Sequence, residues 1–257
     1  MKKIALHSLC LALLAAIIFI GGPALAQTVS LDLGGDNPGT VTGRVIQLVA
    51  LLTILSLAPS ILVMMTSFTR IIVVLSFLRT AIGIQQTPPN TVMISLALFL
   101  TFFIMSPTLE AAYDQGLQPL INEEIDEVEA FERATEPFHE FMMFHVRPSD
   151  LELFSELSGK GPFEMAEDVP LTVLVPSFMI SELRRAFEIG FMIFLPFLII
   201  DMVTAAILMS MGMMMLPPIM ISLPFKIVFF VLVDGWNLIA GSLIQSFDIV
   251  PTLPPDQ

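Results

Sequence analysis

The side chains able to do chemistry are few in this 257-residue chain, and their spacing removes most reactions at once. His139-Glu140 is followed by the next imidazole only at His145, six positions on. On a helix that separation leaves the two rings ~240° apart, whereas a metal-dependent hydrolase reading His-Glu-x-x-His needs both on one face. The chain contains no Gly-x-Ser-x-Gly elbow, no phosphate-binding glycine loop and no paired acids in a cleft-like context. No catalytic residue, metal ligand or cofactor is therefore assigned. The lone cysteine, Cys10, falls in a segment expected to be removed, so neither a disulfide nor a thiolate metal site is available.

What remains are ionised and polarizable groups in apolar surroundings. Arg70, Arg79, Asp201, Lys226 and Asp234 lie in strongly apolar sequence, where an isolated charge costs at least ~2.5 kcal/mol in hydrocarbon and is a functional candidate by default. If a hairpin turns between Pro217 and Pro218, Asp201 and Asp234 share a depth ~25 Å from its tip, with Lys226 at another level. Two readings stay open at this point. One is pairing between helices or subunits that fixes register, and the other is a proton or ion pathway through Asp201 and Asp234. Beside them, Met209, Met211, Met213, Met214 and Met215 are five of seven consecutive residues, in a chain with 17 Met. Methionine moulds to irregular or changing surfaces. The run reads either as core filling or as a ring that dries out a pore yet deforms around a passing chain.

The elements that must position these groups follow from composition. The chain is 55% apolar and 14% charged, against about a quarter charged for soluble domains, and its mean hydropathy is +0.86. Disorder and an ordinary cytosolic enzyme are excluded. A net charge of -13 with only 11 Lys and Arg excludes a free-standing nucleic-acid binder. The expected fold is an all-α membrane protein of long kinked helical hairpins carrying a small acidic helical insert.

Residues 1–26 have the positive start, short apolar core and Ala24-Leu25-Ala26 ending of a cleaved signal peptide, the alternative being an uncleaved anchor. Residues 27–43 read as an external linker. Residues 44–109 read as a first helical hairpin broken by Pro88 and Pro89, and 171–250 as a second with its methionine-rich turn at Pro217 and Pro218; 251–257 form a tail. Four spans with both mature ends outside are expected, although the flanking Lys and Arg tie three to three. Helices over 44–82, with Pro59 as the one expected kink, and over 176–211, kinked near Pro196, would measure ~58 Å and ~54 Å, well beyond a ~30 Å hydrocarbon core. These helices are expected to pack on protein.

Between the hairpins lies a periplasmic insert, 110–170. Its residues 110–168 hold 16 of the 24 acids and only 3 bases. Ile121, Ile125, Val128, Phe131, Phe138, Phe141 and Met142 recur at helical steps, predicting an amphipathic helix interrupted or restarted at Pro137. A second helix is expected from Pro148, with Ser149 and Glu152 as its capping box and an end by Gly159. The acids lack calcium-loop spacing.

The segments Thr66-Ser67-Phe68-Thr69-Arg70-Ile71-Ile72-Val73-Val74-Leu75, Gln85-Gln86-Thr87-Pro88-Pro89-Asn90, Leu98-Phe99-Leu100-Thr101-Phe102-Phe103, the run from Met209 to Pro218, Ser222-Leu223-Pro224-Phe225-Lys226 and Val233-Asp234-Gly235-Trp236 resemble the FliP family of flagellar type III export-gate subunits and its injectisome counterparts. The likeness covers about residues 44–247; one departure is Ile84, where the pattern carries Thr. The resemblance implies a pentameric ring in the bacterial inner membrane within the flagellar basal body, with a large periplasmic-side portion. It implies assembly with FliQ, FliR and further export-apparatus membrane proteins, passage of unfolded flagellar substrates and no catalysis. It makes the methionine run the gasket of the secretion pore.

Overall fold

A computed structural model describes residues 60–247 other than 62, 85, 160, 162, 164 and 214–216, together with 46, 48, 49, 52, 53 and 56. The expected signal peptide, external linker and tail, Arg44 and Pro59 lie outside the described residues, as do Met214 and Met215. The chain divides into two compact units, 1–55 and 56–257. The described residues of the first are helical, with the Thr53 hydroxyl donating to the Val49 carbonyl at 2.7 Å.

The second unit is built from α1 (Phe68–Ile82), α2 (Asn90–Ala112), α3 (Glu127–His145), α4 (Pro148–Ser158), α5 (Leu171–Ser210), α6 (Pro218–Leu232) and α7 (Gly235–Gln245). Helix α2 carries on through a π-helical turn, Tyr113–Leu117, into Gln118–Ile121. No strand occurs among the described residues, and the protein is an all-α membrane protein. Among the described residues two helices are long and apolar enough to cross a membrane, Asn90–Ile121 and Leu171–Ser210, or three if the bent pair α6 and α7 forms one span. The first of the four expected spans lies partly outside the described residues.

Helix α1 is the axis of the unit. Ile71, Val74, Leu75, Leu78, Ala81 and Ile82 are all buried, at the three- and four-residue steps that keep one face inward. One apolar cluster joins Ile71, Val74 and Leu75 to Met93, Ala97, Ile104, Ala186, Leu243 and Phe247; a second joins Leu78, Ala81 and Ile82 to Phe197 and Phe230. The helix expected over 44–82, with Pro59 as its one kink, is broken at 65–67. There the Thr66 hydroxyl bonds the Val63 carbonyl at 3.1 Å and accepts from the Phe68 N–H at 3.4 Å, offering the backbone a local alternative to the helix. Helix α5 runs unbroken through Pro176 and Pro196 for 40 residues, ~60 Å.

The insert packs through α3 and α4 onto α2 and α5, around Met105, Phe138, Met142, Val173, Leu174 and Phe178. Three expectations change here. Helix α3 is continuous through Pro137, which is buried in its interface. Its inward face carries Ala130, Pro137, Phe138, Met142 and His145, so Val128 and Phe131 stay two-thirds exposed, while Ile121, exposed to the same degree, ends the helix before α3. The small Ala130 and Ala134 let α3 approach the backbone at Gly116 closely, and a larger residue would keep the two apart. Helix α4 has no side-chain cap: Pro148 already supplies a first-turn position that needs no donor, and the capping box of Ser149 and Glu152 does not form. The Ser181 hydroxyl ties this helix down, accepting from the Arg147 N–H at 3.0 Å and donating to Asp150 Oδ2 at 2.7 Å.

Candidate functional site

Two loci hold the residues singled out by sequence. The first is the tip between α5 and α6. Helix α5 stops because Gly212 adopts φ 75°, a conformation that costs a residue with a Cβ about 1–2 kcal/mol. The Gly212 N–H then reaches the Met209 carbonyl at 3.1 Å and the Met213 N–H the Leu208 carbonyl at 3.0 Å, the pair of bonds that closes a Schellman stop. Pro217 precedes α6 and Pro218 is its first residue, where a missing N–H costs nothing. With its backbone satisfied locally, the tip leaves Met209, Met211 and Met213 at 57%, 63% and 43% exposure. None of the three is core filling within this chain.

The second locus is a pair of buried ionic nodes. Arg70 is 1% exposed and Glu182 is fully buried. The guanidinium meets the carboxylate in a two-pronged fork, through Nη2 to Oε1 and Nε to Oε2, the latter at 2.7 Å. Its Nη1 donates to the Ser246 carbonyl at 2.8 Å and hydroxyl at 3.1 Å, and its carbon lies 3.6 Å from the centre of the Phe247 ring. One side chain of α1 thereby fastens α5 and the end of α7.

Lys226 is 4% exposed. Its ammonium donates to Asp201 Oδ2 at 2.6 Å and to the Ala81 carbonyl at 3.1 Å, while the Ser222 hydroxyl donates to Asp201 Oδ1 at 2.6 Å. The expected levels are thus corrected. Asp201 faces Lys226, not Asp234, because α5 ends at Ser210, residues 211–213 and Pro217 are not helical, and α6 starts at Pro218. Counted from the true helix ends, Asp201 and Lys226 stand level. Asp234 is exposed at a 63° bend between α6 and α7, where the single helix expected over 219–247 breaks. It has φ 52° and accepts from Asn237 Nδ2 at 3.2 Å. Phe230 holds this bend: a Cβ on Gly235 would lie 2.2–2.3 Å from its ring.

Arg79 sits in the last turn of α1 and donates to Asn90 Oδ1 at 2.5 Å, across a connection in which Pro89 precedes the first residue of α2 and Pro88 lies one position before it. The two histidines do not converge. His139 Nε2 donates to the Val169 carbonyl and His145 Nδ1 to the Phe141 carbonyl, each at 2.8 Å. No cluster able to hold a metal ion occurs among the described residues.

Sequence reasoning missed Glu182, Ser222, Ser246 and Phe247. A signal for Glu182 existed: outside the insert the chain has as many acids as bases, and Glu182 is the lone acid of residues 169–187. A buried arginine requires such a partner.

These features define a class: an all-α membrane protein whose notable groups are a methionine tip and internal ion pairs. The FliP family profile matches residues 51–243. Three relatives are each named Flagellar biosynthetic protein FliP. That of Caulobacter vibrioides is 55% identical over 248 residues, 96% of this chain and 92% of its own. That of Bacillus subtilis is 59% identical over 212 residues, 82% of this chain and 96% of its own. That of Aquifex aeolicus is 52% identical over 204 residues, 79% and 85% respectively. The chain belongs to the FliP family.

Proposed function

We propose that this protein is a core subunit of the flagellar type III export gate, forming with further copies, FliQ and FliR a secretion pore closed by its methionine tip. Unfolded flagellar substrates pass that pore, and no reaction is catalysed. Family membership supports the flagellar assignment. The observation that carries the gate is the tip itself: Met209, Met211 and Met213 project from a self-satisfied turn with no partner core. A ring of such thioethers excludes water and ions while deforming around a chain. The inner membrane and basal body, with the acidic insert on the periplasmic side, form the corresponding location.

The competing reading, a proton-coupled or ion-conducting channel using Asp201 and Asp234, gains no support from the geometry. Asp201 has both oxygens committed, and Asp234 does not share its level.

Replacing Met211, Met213, Met214 and Met215 together by Ala tests the gate in assembled complexes reconstituted into vesicles. Leakage of a small dye with export retained in cells is expected. Tight vesicles containing fully assembled complexes would overturn the reading.

A further inference from the structure

We propose that Asp201, Ser222 and Lys226 are positioning residues, a polar latch that sets the register of α6 and so the height of the methionine tip. The burial pattern of α6 carries this. Of its 15 residues only Ser222, Lys226 and Phe230 are buried, at successive four-residue steps along one stripe. Two of those three are polar, and both end on the same carboxylate, one on each oxygen.

An apolar stripe would let α6 slide along its neighbours, because apolar contact is non-directional and changes little with small displacements. Three directional bonds permit a single register. The third bond, from Lys226 to the Ala81 carbonyl at 3.1 Å, adds an anchor outside the hairpin. It falls in the last turn of α1, where carbonyls lack helical partners and the helix carries partial negative charge. The ammonium therefore lies between the Asp201 carboxylate and the negative end of α1. Asp201 is nine residues before the end of α5 and Lys226 eight after the start of α6, so the latch stands ~12–14 Å behind the tip. A register change there is transmitted along rigid helix to Pro218, where the chain leaves the tip. The latch also borders a cleft of about 560 Å³ that reaches Arg79 and Met220, which leaves room for α6 to shift once released.

The consequence for leakage rests on reading the tip as the closing element, whereas the register claim does not. Nitroxides on Ser76→Cys in α1 and Met220→Cys in α6, in full-length Cys10→Ser protein within assembled complexes, report register as a distance distribution by electron resonance. One narrow distribution is expected for the parent. Lys226→Met and Asp201→Asn should broaden it or displace it by about a helical turn, ~5 Å, Ser222→Ala should broaden it less, and Lys226→Arg should return it to narrow. An unchanged distribution in both Lys226→Met and Asp201→Asn overturns the latch. If those two variants do not assemble, Ser222→Ala decides: it breaks one bond without stranding a charge, and an unchanged distribution again overturns the proposal. Shifted distances in tight vesicles would leave the latch standing and sink the gate. Unchanged distances, with leakage from the methionine variants, would do the reverse.

Discussion

Removing the carboxylate from Arg70 by Glu182→Gln gives the most discriminating test of the internal ion pairs. The pair is fully buried, and the variant keeps the shape of Glu182 while leaving a guanidinium charge without its counterion. Breaking a buried pair in this way costs about 3–5 kcal/mol, because the remaining charge is desolvated and uncompensated. The Ser246 carbonyl and the Phe247 ring still face the cation, which places the expected loss toward the lower end, about 3 kcal/mol. At about 2–4 °C per kcal/mol for a chain of this size, the detergent-purified protein should unfold ~6–12 °C lower. Arg70→Met combined with Glu182→Leu removes both charges and retains apolar volume, and it should fall within about 1 kcal/mol of the parent or exceed it. The singles Arg70→Met and Glu182→Leu complete a double-mutant cycle with that variant, and because each strands one charge their costs should sum to well above the cost of the double. A double variant as unstable as Glu182→Gln would refute the reasoning, since the cost would then lie in packing and not in a stranded charge.

Gly235→Ala places a methyl 2.2–2.3 Å from the Phe230 ring and should lower stability by about 1–3 kcal/mol; combining it with Phe230→Leu should restore part of that loss in thermal unfolding. Ser181→Ala removes the hydroxyl that joins Asp150 to the Arg147 N–H, costing about 1–3 kcal/mol. Amide hydrogen exchange should accelerate across α4 and remain slow in α1.

The extent to which this molecule was legible in its sequence follows a physical line. The all-α character was legible because period and composition are local. Arg70 and Lys226 stand out in the sequence because an ionised group in apolar sequence is conspicuous wherever it lies. Their partners were another matter: Glu182 is 112 positions from Arg70, and no local rule pairs them. The level of Asp201 was misread for a smaller reason. The depth count assumed helix up to the prolines, whereas the glycine at 212 ends α5 at Ser210, well before α6 starts at Pro218. In α3 the apolar stripe was real, yet it served two directions. Small residues took the inward face and left Val128 and Phe131 outside.

The surface of α5 argues that lipid alone does not cover this chain. Large exposed apolar side chains run along it from Ile180 to Met209, ~44 Å of helix, about half again the hydrocarbon thickness. Within that run, the exposed Arg184 and Glu188 pair with each other at 3.1 Å. Such a pair belongs outside hydrocarbon. A bilayer that starts beyond Glu188 accommodates Phe191 through Met209, ~27 Å, and leaves Ile180 and Phe187 in a region without lipid tails. Those residues, like Val128 and Phe131 on the insert, need a protein neighbour to be buried. In the proposed gate, further copies of the chain are the neighbours that would cover these side chains and the methionine tip. The internal ion pairs would then serve that assembly as well as stability, by holding the helices of each copy in the register its neighbours meet.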